Sequence, residues 1–291
     1  ILSSLVINIL ALLIGALLHI PLFIVLTILT LLIVILLIAQ RRNVTLPGLW
    51  KGLAMATLFL ALYALFNIPF LLFHDGLPTG DSQKAIIWAE LIQHENRLPN
   101  YQQAVRWLNR DPTDFFTPGL HALVAGVNIL SPRPLVSTGL LAIALSVSTA
   151  LVGGAIANEL TPKYRLATFT LTVLFILTNF RFLRYLREPG YHLQNILGEL
   201  LLFGLLWLIL RLLRNFRWQD LVLATACAIT IVLSHQFTAF VAPFLLVPLC
   251  LLVLKKYPRV ALIVSVSVLI GLLIFWLTGF TAKPPHLFTN N

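Results

Sequence analysis

Charge is what this chain has least of. Only 10% of its 291 residues are Asp, Glu, Lys or Arg, where a water-soluble protein carries about 25%. Water is therefore not its main solvent. Cysteine is almost as scarce. Cys227 and Cys250 both sit in apolar runs without CxxC spacing, which removes a zinc site and a disulfide framework and leaves two small buried hydrophobes. There is no GxxxxGK[ST] loop, no GxGxxG after a strand, no HExxH and no GxSxG. ATP-driven work, dinucleotide chemistry and zinc proteolysis accordingly have no support. The first run lacks the basic n-region and small-residue cleavage site of a signal peptide. No internal repeat or matched pair of broken spans marks a secondary transporter.

What is present is hydrocarbon. Hydrophobic residues make up 59% of the chain and mean hydropathy is +0.95. The apolar runs are continuous rather than alternating, and in lipid only helices or closed barrels satisfy the backbone, so helices are expected. The runs cover 1–18, 20–39, 52–73, 134–158, 165–180, 190–211, 220–236, 238–254 and 259–279. They imply an all-α, polytopic membrane bundle of about nine spans, several near the ~20-residue minimum. The chain begins at Ile1 rather than Met, and is read as part of a longer polytopic protein. Its formal charge of +10 points to basic cytoplasmic loops against anionic headgroups, not to nucleic acid.

One polar island interrupts the hydrocarbon. The stretch 74–117 holds Asp75, Asp81, Glu90, Glu95, Asp111 and Asp114, six of the ten acidic residues. Placing it outside puts Arg41, Arg42, Lys51, Lys163, Arg165, Arg211, Arg214, Arg217, Lys255, Lys256 and Arg259 in the inner connectors, as the positive-inside rule requires. The short apolar segment 116–130 is then expected to lie on the outer surface as an amphipathic helix, or to re-enter partway. If it crossed, the later basic clusters would face out.

Several residues are candidates for chemistry. Asp81 begins the string DSQKAIIWAELI, which reads as a helix. A carboxylate there is either its cap or a base facing a cavity. Asp111 to Asp114 reads as a turn with its own cap. Arg181, Arg184 and Arg187 recur every three residues on the side that should be poor in cations. They either snorkel to the interface or present guanidinium groups to a phosphate. His192, Asn195 and Glu199 share one helical stripe, and a carboxylate inside a span usually faces a wet cavity; the alternative is a helix-to-helix hydrogen bond. His235 and Gln236 form a further polar cluster at the same expected depth.

Taken in order, these elements resemble those of the GT-C glycosyltransferases, such as protein O-mannosyltransferases and lipid A aminoarabinose transferases. In that family a span leads to a large first outer loop opening with an acidic residue on a juxtamembrane helix. A second, Pro-started helix follows, then the bundle. Gly80-Asp81-Ser82 matches the first feature, Phe116-Thr117-Pro118-Gly119-Leu120-His121 the second, and Glu188-Pro189 is similar to a later acidic-Pro pair. The resemblance covers roughly 52–254, as a core with outer loop 74–133. Two extra spans precede it in 1–51, and a further span and outer tail follow in 255–291. It implies transfer of a sugar from a polyprenyl-phosphate donor to an acceptor on the extracytoplasmic face. Asp81 and Glu188 would be the catalytic carboxylates, and Arg181, Arg184, Arg187, His192, Asn195, Glu199, His235 and Gln236 would bind substrate. Ser82 replaces the family's second acidic residue, so no cofactor is expected; a divalent metal is possible but not supported. The partners implied are the lipid-linked donor, membrane lipids and an acceptor lipid, glycan or protein. Two other readings stand beside this one: a transporter or flippase for a lipid-linked or anionic solute, and a non-catalytic membrane subunit.

Overall fold

In a computed structural model of the chain, residues 2–40, 81–96, 118–129, 134–179 and 193–256 are described, with isolated positions at 50, 54, 57, 61, 258 and 269. All regular structure among them is helical. The helices are α1 (Leu2–Leu17), α2 (Leu22–Gln40), α3 (Asp81–Glu95), α4 (Pro118–Ile129), α5 (Pro134–Leu160), α6 (Arg165–Thr178), α7 (Leu193–Arg214), α8 (Trp218–Ser234) and α9 (Gln236–Lys256), with a 3-10 turn at Pro162–Tyr164. Each described apolar run becomes one helix, displaced by only a few residues. The expected spans at 52–73 and 259–279 lie outside the described residues, apart from those isolated positions.

Local chemistry sets the breaks. His19 adopts a left-handed φ of 58°, and the Ile20 N–H donates to the Gly15 carbonyl at 2.8 Å. That bond closes α1 as a Schellman motif, and Pro21 then starts the next helix. Asn96, at φ 51°, ends α3 in the same left-handed way. His235 is the only residue between α8 and α9. Its extended backbone (φ −155°, ψ 103°) takes the chain out of one helix and into the next.

α7 is the hub of the bundle. Leu193, Ile196, Leu197, Leu200, Leu201, Leu205, Leu208, Ile209 and Leu212 are all buried, at spacings of three and four, against α5, α8 and α9. Glycine lets neighbours approach. Gly153 and Gly154 of α5 receive Ile176, Phe169 and Val173 of α6 so closely that a Cβ would overlap them. This is the small-residue packing common where lipid removes the hydrophobic drive between helices. Several hydroxyls within the helices are satisfied locally: Ser146, Thr149, Thr230, Thr27 and Thr30 each donate to the carbonyl four residues back. The Cys227 thiol is fully buried and donates across to the Leu201 carbonyl at 3.2 Å.

Two segments, Ser137–Leu160 and Leu193–Arg214, are long and apolar enough to cross a membrane. Large apolar side chains also face outward along other helices, among them Phe23, Ile28, Leu31 and Ile35 on α2, and Phe237, Phe240, Phe244 and Leu251 on α9. Outward-facing hydrocarbon on this scale is more than a monomer in water normally leaves uncovered.

One expectation needs correction. The 116–130 segment is not an amphipathic helix resting on a surface. Ten of the twelve residues of α4 are buried, among α1, α3, α5 and α8. Its sequence offers no polar face to leave in water; even His121 and Asn128 are inside. At 1.5 Å per residue it is about 18 Å long, short of the ~30 Å hydrocarbon core.

Candidate functional site

The helix directions segregate charge. α5 and α7 finish, α8 starts and α9 finishes at one end of the bundle. There Arg214 pairs with Glu159 at 2.5 Å, Arg211 pairs with Asp220 at 3.2 Å, and the Lys256 ammonium donates to the Leu213 carbonyl at 2.7 Å. The opposite end collects the starts of α5, α7 and α9, the end of α8, and the α3–α4 pair. Its described charged side chains are Glu90, Glu95 and Glu199.

α4 organises this second end. A Cβ at Gly119 would overlap the Ser234 hydroxyl at the end of α8, so the first turn of α4 is pressed against that terminus. At its other end, the Ser137 hydroxyl of α5 donates to the Asn128 carboxamide oxygen at 2.6 Å. α3 lies over α4 through Ala85, Trp88, Ala89 and Ile92, a buried stripe one helical face wide. Trp88 meets the His121 ring edge-on at 6.0 Å, and the Gln93 carboxamide donates to the Ala125 carbonyl at 2.5 Å. His121 is 1% exposed.

His235 is held by two bonds. The Thr238 backbone N–H donates to its Nδ1 at 3.3 Å, and the Thr238 hydroxyl lies 2.5 Å from the same nitrogen. Thr238 is the third residue of α9, so the imidazole caps that helix as an Asn or Ser side chain would. Because Nδ1 accepts a backbone N–H, the ring proton is assigned to Nε2. The joint fits against α7 only because position 198 is glycine: a Cβ there would overlap both the Thr238 hydroxyl and the His235 ring.

Among the sequence candidates, Asp81 is the first residue of α3, in the turn where a carboxylate is favoured by the exposed N–H groups. Asn195 and Glu199 are half-buried on α7, and neither is without a partner. Asn195 lies one turn from Gly198 towards the helix start, so this stripe runs beside the His235 joint. Gln236 is the first residue of α9. The structure thus brings Asn195, Glu199, His235 and Gln236 to the same end of the bundle as the α3–α4 pair. Glu188, Arg181, Arg184, Arg187 and His192 lie outside the described residues, as do the side chains of Asp81 and Gln236. No group of three or more His, Cys, Asp or Glu side chains suited to a metal occurs among the described residues. Sequence reasoning passed over Gly198, Trp88 and Gln93, and gave His121 no role beyond its place in a motif. A glycine in a hydrophobic span, six residues before Gly204, was the one available signal for the first of these. Comparison of the chain with protein-family models, curated proteins and solved structures finds no match.

Proposed function

We propose that this chain is a multi-pass membrane glycosyltransferase of the GT-C kind, acting on the extracytoplasmic face. One observation carries the reading. The helix that opens at Asp81 rests on a short, buried helix at the end of the bundle where Asn195, Glu199 and His235 gather. Among the described side chains that end carries Glu90, Glu95 and Glu199 and lies opposite the basic end, the division of charge expected between an outer and an inner face. The nine expected spans form part of the same proposal, supported by the outward-facing apolar side chains and the two helices of crossing length.

The chemistry follows from the residue types. Asp81 takes the proton from the acceptor hydroxyl as its oxygen attacks the anomeric carbon of the lipid-linked sugar. The bond from that carbon to the phosphate oxygen breaks, and the polyprenyl phosphate leaves with the electron pair. Arg181, Arg184 and Arg187 stabilise the charge on the departing phosphate. Glu188 is the second carboxylate. The donor is already activated, so the reaction needs no nucleotide. Asp81→Asn is the sharpest test, because Asn also begins helices well and preserves the fold. Removing the base is expected to slow transfer about 10²–10⁴-fold while donor binding persists. The assay is transfer of labelled sugar from a polyprenyl-phosphate donor in reconstituted vesicles. Near-normal transfer by the variant refutes Asp81 as the base. Movement of the donor across the bilayer without transfer refutes the enzyme and favours a flippase.

A further inference from the structure

The basic end of the bundle has no part in sugar transfer. Its described charges are Lys163, Arg165, Arg211, Arg214, Arg217, Lys255 and Lys256 against Glu159 and Asp220, seven positive and two negative, a balance of +5. At the other end the described charged side chains are Glu90, Glu95 and Glu199, a balance of −3. Both acidic residues of the basic end are already engaged, Glu159 with Arg214 and Asp220 with Arg211. Lys163, Arg165, Arg217 and Lys255 are exposed and make no ion pair among the described residues. The contacts Arg214–Glu159 and Lys256–Leu213 tie three chain segments, 159–165, 211–218 and 255–256, into one surface.

This surface is also edged with rings and hydrocarbon. Tyr164 is 59% exposed and Trp218 66% exposed, and each adjoins one of the unpaired cations in sequence. The Lys163 ammonium sits 5.4 Å from the centroid of the Tyr164 ring. Beyond the rings the exposed residues become apolar: Leu166, Leu171 and Phe175 on α6, and Val222 on α8. Unpaired cations, then amphipathic rings, then hydrocarbon, is the gradient a protein presents to the headgroup boundary of a bilayer. A nucleic acid or an acidic protein would make use of the cations and leave the rings and the apolar border uncovered.

We propose that this end is a binding surface for anionic phospholipid headgroups, seated on an acidic inner leaflet through Lys163, Arg165, Arg217 and Lys255. The proposal rests on the chain crossing the membrane but not on any catalytic activity. Each cation near such a surface strengthens its hold by about fivefold at low salt, and the effect weakens once the Debye length shrinks towards ~3 Å at 1 M.

The test uses the full chain, solubilised from bilayers of equal phosphatidylglycerol and phosphatidylcholine, with retained lipids counted by native mass spectrometry. The wild type is expected to keep phosphatidylglycerol at least tenfold over phosphatidylcholine. The quadruple variant K163Q/R165Q/R217Q/K255Q is expected to lose that preference, while Lys84→Gln at the opposite end retains it. Equal retention of both lipids by the wild type, or an unchanged preference in the quadruple variant, overturns the proposal. If the quadruple variant does not insert, the wild type carries the test by itself. Its preference must fall when the bilayers are equilibrated in high salt before extraction, and a salt-independent preference is equally fatal. An alkaline wash of the membranes separates the two levels of failure. Release of the protein refutes the membrane reading, whereas a retained protein without lipid preference refutes only this surface.

Discussion

Gly198→Ala isolates the packing on which the candidate site depends. In an ordinary helix this substitution stabilises by about 1 kcal/mol, because alanine restricts the unfolded chain and suits the helix better. Here the added methyl would overlap the Thr238 hydroxyl and the His235 ring, two groups already bonded to one another. Neither can rotate aside without giving up the cap on α9, itself worth about 1 kcal/mol. Pushing α7 and α9 apart instead carries the overpacking cost of roughly 1–3 kcal/mol. Set against the helix gain, either route leaves a net loss of about 0–2 kcal/mol. Gly204→Ala is the control, since the three atoms nearest its methyl all belong to the Leu2 side chain, which holds no hydrogen bond. Moving Leu2 breaks no cap, so that variant is expected to lose less stability than Gly198→Ala. Thermal unfolding of both variants in one detergent reads the difference directly. Thr238→Ala removes the nearest obstruction, so the double variant with Gly198→Ala should lose less than the sum of the singles. If Gly198→Ala is as benign as Gly204→Ala, α7 does not meet the His235 joint as described.

Other outcomes can be checked separately. His235→Asn keeps an acceptor for the Thr238 N–H and should unfold near the wild-type temperature, whereas His235→Ala should cost about 1 kcal/mol or more; equal losses in the two variants would remove the cap. A cysteine placed at Asn100 should react with an impermeant maleimide in intact cells, and labelling only after the inner face is opened inverts the topology. Arg184→Ala should weaken use of the lipid-linked donor more than use of the acceptor, by a few kcal/mol if the phosphate contact is desolvated. A change confined to membrane insertion would mark Arg184 as an interfacial anchor.

Much of this architecture was legible in the order of residues. A chain with so little charge and such long apolar runs must satisfy its backbone within helices, and Pro21 and Asp81 sit close to the helix starts seen. The fate of α4 was not legible. Its length excluded a full crossing, but whether a short apolar helix lies on a surface or inside depends on what its neighbours leave open. Gly119 and Gly126 let Ser234 and Leu12 close over it, and those partners are far away in sequence. The same holds for His235: with Gln236 it names a polar cluster, but only the approach of α7 through Gly198 makes the imidazole a joint between helices. Charge shows the division most clearly. The sequence by itself determined how few charges there are and which connectors carry them. The fold decided that Arg211 meets Asp220 and Arg214 meets Glu159, while among the described residues Lys163, Arg165, Arg217 and Lys255 make no ion pair. Periodicity and hydropathy act within a helix, over a few residues; pairing between helix ends depends on which helices lie side by side, and side-chain packing sets that.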